Sequence, residues 1–360
     1  MAWSFSKIFS KTCLGVDIGS FSIKIVEVSR FGKRTKIENY IQFQSPSQHD
    51  SLFRVFEEEN LLLLSDKVSE IIDGLLEKAR IREREAFISI PDFSTFFTTF
   101  ELPSMTMSEL PKAVEFEARH HIPFPLSQVI FDWQTIETKE ELGGRKTHKV
   151  LLVAVPNKVV QQYQRMANLS HLRLKGLEAE AFALARSSIG EMEKEEPVCL
   201  VDVGYTSTTI SIAEKGSLRQ SHSLDISANS LTKRLVDSLK ISWAEAERMK
   251  REFGLDPKKP SVFLALRSQI NLISEEIERV CQNFYQTEGK RIENIIFAGG
   301  AASLPGLKEY FKVFLKKDIK ISNPFYSSNI SYPPLLEGRL KEIGPSFAIA
   351  LGLALRGVGE

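Results

Sequence analysis

One pattern occurs twice in this chain, and it limits the folds open to it. Leu14-Gly-Val-Asp-Ile18 reads as a short buried strand that runs into Gly19-Ser20 and returns as a second strand over 22–28, with apolar residues alternating. Far downstream, Val198-Cys-Leu-Val-Asp-Val-Gly204 repeats the buried strand and its Asp-x-Gly ending. Thr206-Ser-Thr-Thr209 then supplies a hydroxyl-rich turn, and Ile210-Ser-Ile212 opens the return strand. A supersecondary unit present twice predicts two related halves.

The chemistry of both turns points to an anion. Backbone N–H groups and hydroxyls at a hairpin tip donate to phosphate, and glycine lets the backbone come close. The aspartates, Asp17 and Asp202, repel a phosphate by themselves. They make sense if a magnesium ion or its waters lie between. One Asp-x-Gly hairpin is a common turn, whereas two facing tips would cradle a polyphosphate from both sides. Candidate residues are Asp17, Gly19 and Ser20 in the first turn, and Asp202, Gly204, Thr206, Ser207 and Thr208 in the second.

Two further segments fit a nucleotide. Asn294-Ile-Ile-Phe-Ala-Gly-Gly-Ala-Ala-Ser-Leu-Pro-Gly306 is a buried strand ending in a glycine pair, where a nucleoside can lie against backbone. A tight strand-to-helix turn explains the same residues. In Ala244-Glu-Ala-Glu-Arg-Met-Lys-Arg251, Glu247, Lys250 and Arg251 share a helical face. A carboxylate for ribose hydroxyls beside cations fits that face, although spacing alone favours a solvated ion-pair helix.

Between the halves the pattern changes. Strands at 96–102 and 129–138 flank a helix over 108–121 with a cap expected at Ser108, and Leu142-Gly-Gly-Arg145 turns the chain into a strand over 149–155. This reads as a small α+β insertion. A charged linker, Glu191-Met-Glu-Lys-Glu-Glu196, precedes the second half.

Bulk properties narrow the partners. The 360 residues suit about two domains, and a net charge of +1 gives no electrostatic case for nucleic acid. Cys13, Cys199 and Cys281 form no CxxC pair and read as buried thiols, and the adjacent His120 and His121 point in different helical directions. No segment is long and apolar enough to span a bilayer, and Phe347-Ala-Ile-Ala-Leu-Gly-Leu-Ala-Leu355 reads as a core helix. The opening residues lack a signal-peptide pattern, so a cytoplasmic protein is expected. Trp3, Phe5, Ile8 and Phe9, with Lys7 and Lys11, read as a short tail in preference to a membrane-touching helix.

The order of phosphate turn, insertion, second phosphate turn, Glu–Lys helix and Gly-Gly turn resembles the actin and sugar-kinase superfamily. Within it the chain resembles the PilM family of type IV pilus assembly proteins over nearly its whole length. The matching stretches are Leu14-Gly-Val-Asp-Ile-Gly-Ser-Phe-Ser-Ile-Lys-Ile-Val-Glu27, Glu115-Phe-Glu-Ala-Arg-His-His-Ile-Pro-Phe-Pro125, Glu178-Ala-Glu-Ala-Phe-Ala-Leu-Ala185, Ala298-Gly-Gly-Ala-Ala-Ser-Leu-Pro-Gly-Leu307 and Ala350-Leu-Gly-Leu-Ala-Leu-Arg356. Ile122-Pro-Phe-Pro125 separates this family from sugar kinases and chaperone ATPases.

The resemblance implies an α/β, actin-like, two-lobed fold built on ribonuclease H-like repeats, with the small subdomain placed as in the division protein FtsA. It implies ATP with magnesium in the cleft, and a partner in the short cytoplasmic N-terminal peptide of PilN, an inner-membrane protein. Lys24 then joins the first phosphate turn, and Glu247, Lys250, Gly299, Gly300 and Ala301 surround the nucleoside. Residues 1–13 are a tail, 14–91 the first-lobe core, 92–156 the inserted subdomain and 157–196 the return to the first lobe. Residues 197–224 and 292–340 form the second-lobe core around a helical subdomain at 225–291, and 341–360 close on the first lobe. The protein is expected at the inner membrane through its partners, with the docking groove beside the insertion.

Ser227 and Ala228 stand where family members carry a glycine pair, which removes φ freedom and adds bulk near the phosphates. Hydrolysis needs a group that positions water, and in the loop 89–94, where the superfamily often places one, Asp92 is the only acid. With that loop undiagnostic, ATP is expected as a conformational ligand with slow or absent turnover. Two alternatives are an FtsA-like filament protein and a small-molecule kinase of the same superfold. The kinase lacks an assignable base, and the given sequence ends at Arg356-Gly-Val-Gly-Glu360 without FtsA's amphipathic helix.

Overall fold

The computed structural model describes residues 11–45, 53–56, 62–64, 67–140, 146–189, 195–326 and 329–359. The tail up to residue 10, the turn at 142–145 and linker residues 191–194 lie outside them.

The first repeat forms as its alternation dictates. β1 (Lys11–Ile18) turns at Gly19 and pairs antiparallel with β2 (Ser22–Phe31), which puts Asp17 opposite Lys24. β3 (Arg34–Gln44) extends the meander. A ribbon of β4 (Arg54–Phe56) and β5 (Leu62–Leu64) leads to α1 (Lys67–Lys78), and β6 (Glu85–Ile90) lies parallel to β1.

Next come β7 (Phe96–Leu102), α2 (Leu110–His121), β8 (Val129–Glu140) and β9 (Lys146–Pro156), an antiparallel sheet of order β7-β9-β8 with its own core against α2. The helix starts later than expected, and Ser108 does not cap it. Glu109 reaches back to accept the Thr106 N–H at 2.8 Å, and Leu110 N–H bonds the Thr106 carbonyl at 3.2 Å. These bonds close a turn over 106–109 ahead of the helix, and Glu109 holds the N-cap position with no side-chain cap bond. Pro111 follows where its missing N–H costs nothing.

The chain then returns to the first sheet through α3 (Asn157–Leu169) and β10 (Arg173–Ala179), and α4 (Glu180–Ser188) follows. The second repeat is β11 (Val198–Val203), β12 (Thr208–Glu214) and β13 (Ser217–Leu224). Three helices come after it: α5 (Ala228–Leu239), α6 (Trp243–Phe253) and α7 (Pro260–Glu288). β14 (Asn294–Ala298) joins parallel to β11, then α8 (Leu307–Leu315) and β15 (Asp318–Ile321) follow. β16 (Ile330–Ser331) crosses back to pair with β3, and α9 (Glu337–Val358) ends the chain. The two main sheets run β10-β6-β1-β2-β3-β16 and β13-β12-β11-β14-β15.

Two lobes result, each a sheet with its own core. α1 and α3 cover one face of the first sheet, and α5 to α8 cover one face of the second. α4 and α9 fill the space between the sheets, with α9 packed on β1 and β2 on one side and on β11 and β14 on the other. Close approach needs glycine here. A Cβ on Gly15 would sit 1.8 Å from the Ala350 carbonyl oxygen, and one on Gly352 would sit 1.9 Å from that of Ala183. α9 is longer than the apolar run 347–355, because an amphipathic stretch precedes that run across Pro345.

Candidate functional site

The paired turns have the same internal geometry. Gly19 N–H donates to the Ser22 carbonyl at 2.9 Å, and Gly204 N–H donates to the Ser207 carbonyl at 3.0 Å. They also meet each other. Ser20 Oγ lies 2.8 Å from Thr206 Oγ1, and the Phe21 and Tyr205 rings stack with centroids 4.7 Å apart. Counting from each aspartate, the fourth residue of one turn touches the fifth of the other, in both directions. This is the contact an internal two-fold produces.

Charge distinguishes the turns. Lys24 Nζ lies 3.0 Å from Asp17 Oδ2, while Ser89 Oγ donates to Asp17 Oδ1 at 3.1 Å and accepts from Ile18 N–H at 3.3 Å. Asp17 and Lys24 are both buried. Asp202 faces Thr209 at the equivalent register, so the second turn has no lysine there. Ser89 was invisible as a site residue. It lies on β6, and only the parallel pairing of β6 with β1 brings it to Asp17.

The Gly-Gly turn packs against the second hairpin. Gly299 has φ +87°, its N–H donates to the Pro345 carbonyl at 2.9 Å, and a Cβ would lie 2.4 Å from Asp202 Oδ1. Gly300 has open space around it, whereas Ala301 turns its side chain into the second-lobe core. Ala301 can therefore meet a ligand only through its backbone. Thr208 is likewise buried, with its hydroxyl donating to the Ile226 carbonyl at 2.6 Å.

The start of α5 docks on the same hairpin. Ala228 and Asn229 N–H groups donate to the Gly204 and Tyr205 carbonyls at 2.9 and 3.1 Å. Ser227 is the N-cap in extended backbone (φ −154°) and shares a reciprocal capping box with Ser230. Neither Ser227 nor Ala228 has a positive φ, so glycine's conformational freedom is not required there. What the pair changes is bulk.

Glu247 and Lys250 reach this first turn of α5. Lys250 Nζ donates to Glu247 at 2.7 Å, to Thr232 Oγ1 at 2.6 Å and to the Ala228 carbonyl at 2.9 Å. Arg251 holds the other Glu247 oxygen at 2.7 Å. Burial pushes the Glu247 carboxyl up, but Lys250, Thr232 and Arg251 outweigh it and hold the pKa below its ordinary value. The cluster is thus less solvated than an ordinary ion-pair helix, because Lys250 is buried.

Asp92 has another task. Its Oδ1 accepts the Ala181 N–H at 3.2 Å, capping α4. Among the described residues no group of three or more His, Cys, Asp or Glu gathers in a metal-holding cluster.

A concavity of about 1940 Å³ lies beside the insertion. Its walls include β10 from Leu174 to Ala179 and β8 from Ile130 to Gln134. Among the described residues each is an edge strand: β10 pairs only with β6, and β8 only with β9. An extended peptide can add to such an edge through backbone hydrogen bonds.

A family model described as type IV pilus assembly protein PilM matches residues 15–358. A solved structure of a PilM-PilN type IV pilus biogenesis complex aligns with a TM-score of 0.81 at 24% identity, covering 97% of this chain and 99% of that one. MreB5 of Spiroplasma citri bound to ADP aligns with a TM-score of 0.52 at 11% identity, covering 95% and 94%. The cell division protein FtsA of Bacillus subtilis (strain 168) is 20% identical over 296 residues, which is 72% of this chain and 66% of FtsA. FtsA of Agrobacterium fabrum is 23% identical over 234 residues, 57% of this chain and 50% of that protein. The chain thus spans between half and about two thirds of the length of these curated relatives. These likenesses establish the actin-like fold.

Proposed function

The chain belongs to the type IV pilus assembly protein PilM family, and from that premise we propose that it is an ATP-binding platform that docks a PilN-like inner-membrane protein. The observation that carries the nucleotide half is the direct apposition of the turns at Gly19 and Gly204. In this reading the N–H and hydroxyl groups of Ser20, Thr206 and Ser207 bind the phosphates, Gly19 and Gly204 let the backbone come close with their own N–H groups closing the turns, and Lys24 supplies the cation. Thr208 positions the turn through Ile226.

Glu247, Lys250, Gly299, Gly300 and the Ala301 backbone enclose the nucleoside side. The donor set suits magnesium held through water. Asp17 already accepts from Lys24 and Ser89, and one carboxylate per turn is too few for a direct cage. Bound there, magnesium would neutralise phosphate charge between Asp17 and Asp202. Because Asp92 caps α4, no acid is assigned to water activation, and the reading gives ATP a conformational role with slow or absent turnover.

The docking half rests on the groove between edge strands β10 and β8. The occupant is the cytoplasmic N-terminal peptide of a PilN-like protein, which would hold this chain at the cytoplasmic side of the inner membrane. No helix among the described residues is long and apolar enough to cross a membrane, so attachment runs through partners in this reading. Ile130 is 53% exposed on β8 and lines the groove, so Ile130→Glu adds a charge without disturbing a core. A fluorescent synthetic peptide with the N-terminal sequence of a PilN-like protein, titrated with the full chain, should lose affinity in Ile130→Glu by at least about tenfold. Equal affinity for both proteins would remove the groove from the account.

A further inference from the structure

The two turns touch through more than their hydroxyls. Phe21 follows Ser20 and Tyr205 precedes Thr206, so the internal two-fold that brings the hydroxyls to 2.8 Å also lays one ring on the other. The ring planes are 18° apart with centroids at 4.7 Å, a stacked pair. Neither aromatic serves the chemistry of an Asp-x-Gly turn, which asks for glycine, hydroxyls and backbone donors.

Each ring is fixed to its own lobe. The Phe21 carbonyl accepts the N–H of Ser45, a buried residue just past the end of β3, at 2.8 Å. The Tyr205 carbonyl accepts the Asn229 N–H at 3.1 Å, in the first turn of α5. One anchor belongs to the first lobe and the other to the second. The stack is therefore a bridge between lobes, and its half-buried rings separate only when the turns part or a side chain swings out.

The bridge stands where the phosphates are proposed to lie. Two hydroxyls that donate to one phosphate oxygen stand roughly 4.5 Å apart, given hydrogen bonds of ordinary length. Ser20 and Thr206 are 2.8 Å apart. A polyphosphate gripped from both sides thus has to replace the Ser20–Thr206 bond, and the stack opposes the separation that this requires.

We propose that Phe21 and Tyr205 form an aromatic clasp between the lobes that competes with the polyphosphate, so that these two rings set how fast and how tightly nucleotide is taken up. The inference rests on the nucleotide reading above. A site that is competent to bind for only a fraction of the time loses affinity by that fraction. A stacked pair favours its closed arrangement about two- to tenfold, and that is the size of the effect expected from removing it. Because the clasp and the gripped phosphate exclude each other, its loss raises the association rate and leaves dissociation as it was.

The test is stopped-flow binding of a fluorescent, non-hydrolysable ATP analogue with magnesium to the full chain. Phe21→Ala and Tyr205→Ala should each raise the association rate constant about two- to tenfold and lower Kd by the same factor. The double variant should gain little beyond either single change, since one stack is lost in all three. Tyr205→Phe keeps the ring and should bind as the unaltered protein does. Should alanine impair folding, Phe21→Leu keeps apolar bulk without a face to stack and should still speed association. Unchanged or slower association in folded ring variants overturns the clasp and leaves the nucleotide reading standing. An equal rise in both rates does the same, because it means that the rings close again over bound nucleotide. Failure of the unaltered protein and every variant to bind the analogue overturns the nucleotide reading and this inference with it.

Discussion

Lys24→Met is expected to weaken ATP binding by at least about tenfold and to lower the unfolding free energy by about 3 kcal/mol. Both effects follow from where Lys24 sits. It is buried beside Asp17, with Nζ 3.0 Å from Oδ2. Removing the ammonium leaves a buried carboxylate beside the weaker Ser89 hydroxyl donor, and it takes away the one lysine facing an aspartate at the base of either turn.

The second consequence separates binding from folding. Lys24→Met with Asp17→Asn removes both charges, so most of the stability should return while ATP affinity stays low. Chemical denaturation and equilibrium binding on the same preparations check this. If the double variant recovered full ATP affinity, Lys24 would have only a structural role.

Gly299→Ala should lower stability by about 2–4 kcal/mol and weaken ATP binding with it. Its φ of +87° is costly for any residue with a Cβ, and the added carbon would lie 2.4 Å from Asp202 Oδ1 and 2.5 Å from the Val203 carbonyl oxygen. Those atoms belong to the second hairpin and cannot yield without moving the turn. Gly300→Ala meets nothing within 4 Å, so it should unfold within about 1 kcal/mol of the unaltered protein. Equal stability losses at both positions would mean that the contact with Asp202 does not decide the effect.

How much of this was legible depended on whether the signal was local. The twofold Asp-x-Gly pattern sits in consecutive residues, and alternation through 22–28 fixes which side chains enter the core. The strand-to-hairpin scheme and the insertion could therefore be read directly. Ser89 could not, because its contact with Asp17 spans a parallel crossover. The same holds for Asp92, whose capping partner Ala181 lies on a distant helix.

Helix starts were misread where a side chain had two options. Ser108 is a good cap by residue type, but it makes no cap bond to α2; Glu109 turns its carboxylate back to Thr106 and stands at the N-cap position. At Ser227 the substitution of a glycine looked like a conformational loss, yet the capping box with Ser230 gives serine a use there. Cys199 and Cys281, far apart along the chain, meet in the second-lobe core, where the hydrogen bond that the Cys199 thiol donates to Cys281, together with burial, pushes the Cys199 thiol well up. The stack of Phe21 on Tyr205 was equally hidden, because it depends on how the two turns face each other.

Equilibrium dialysis of labelled ATP with magnesium against the full chain tests the central claim most directly. The account predicts saturable binding of one ATP per chain, markedly weakened in Lys24→Met and in Gly299→Ala. Absence of saturable binding, or binding undiminished in both variants, would contradict a nucleotide site between the paired turns.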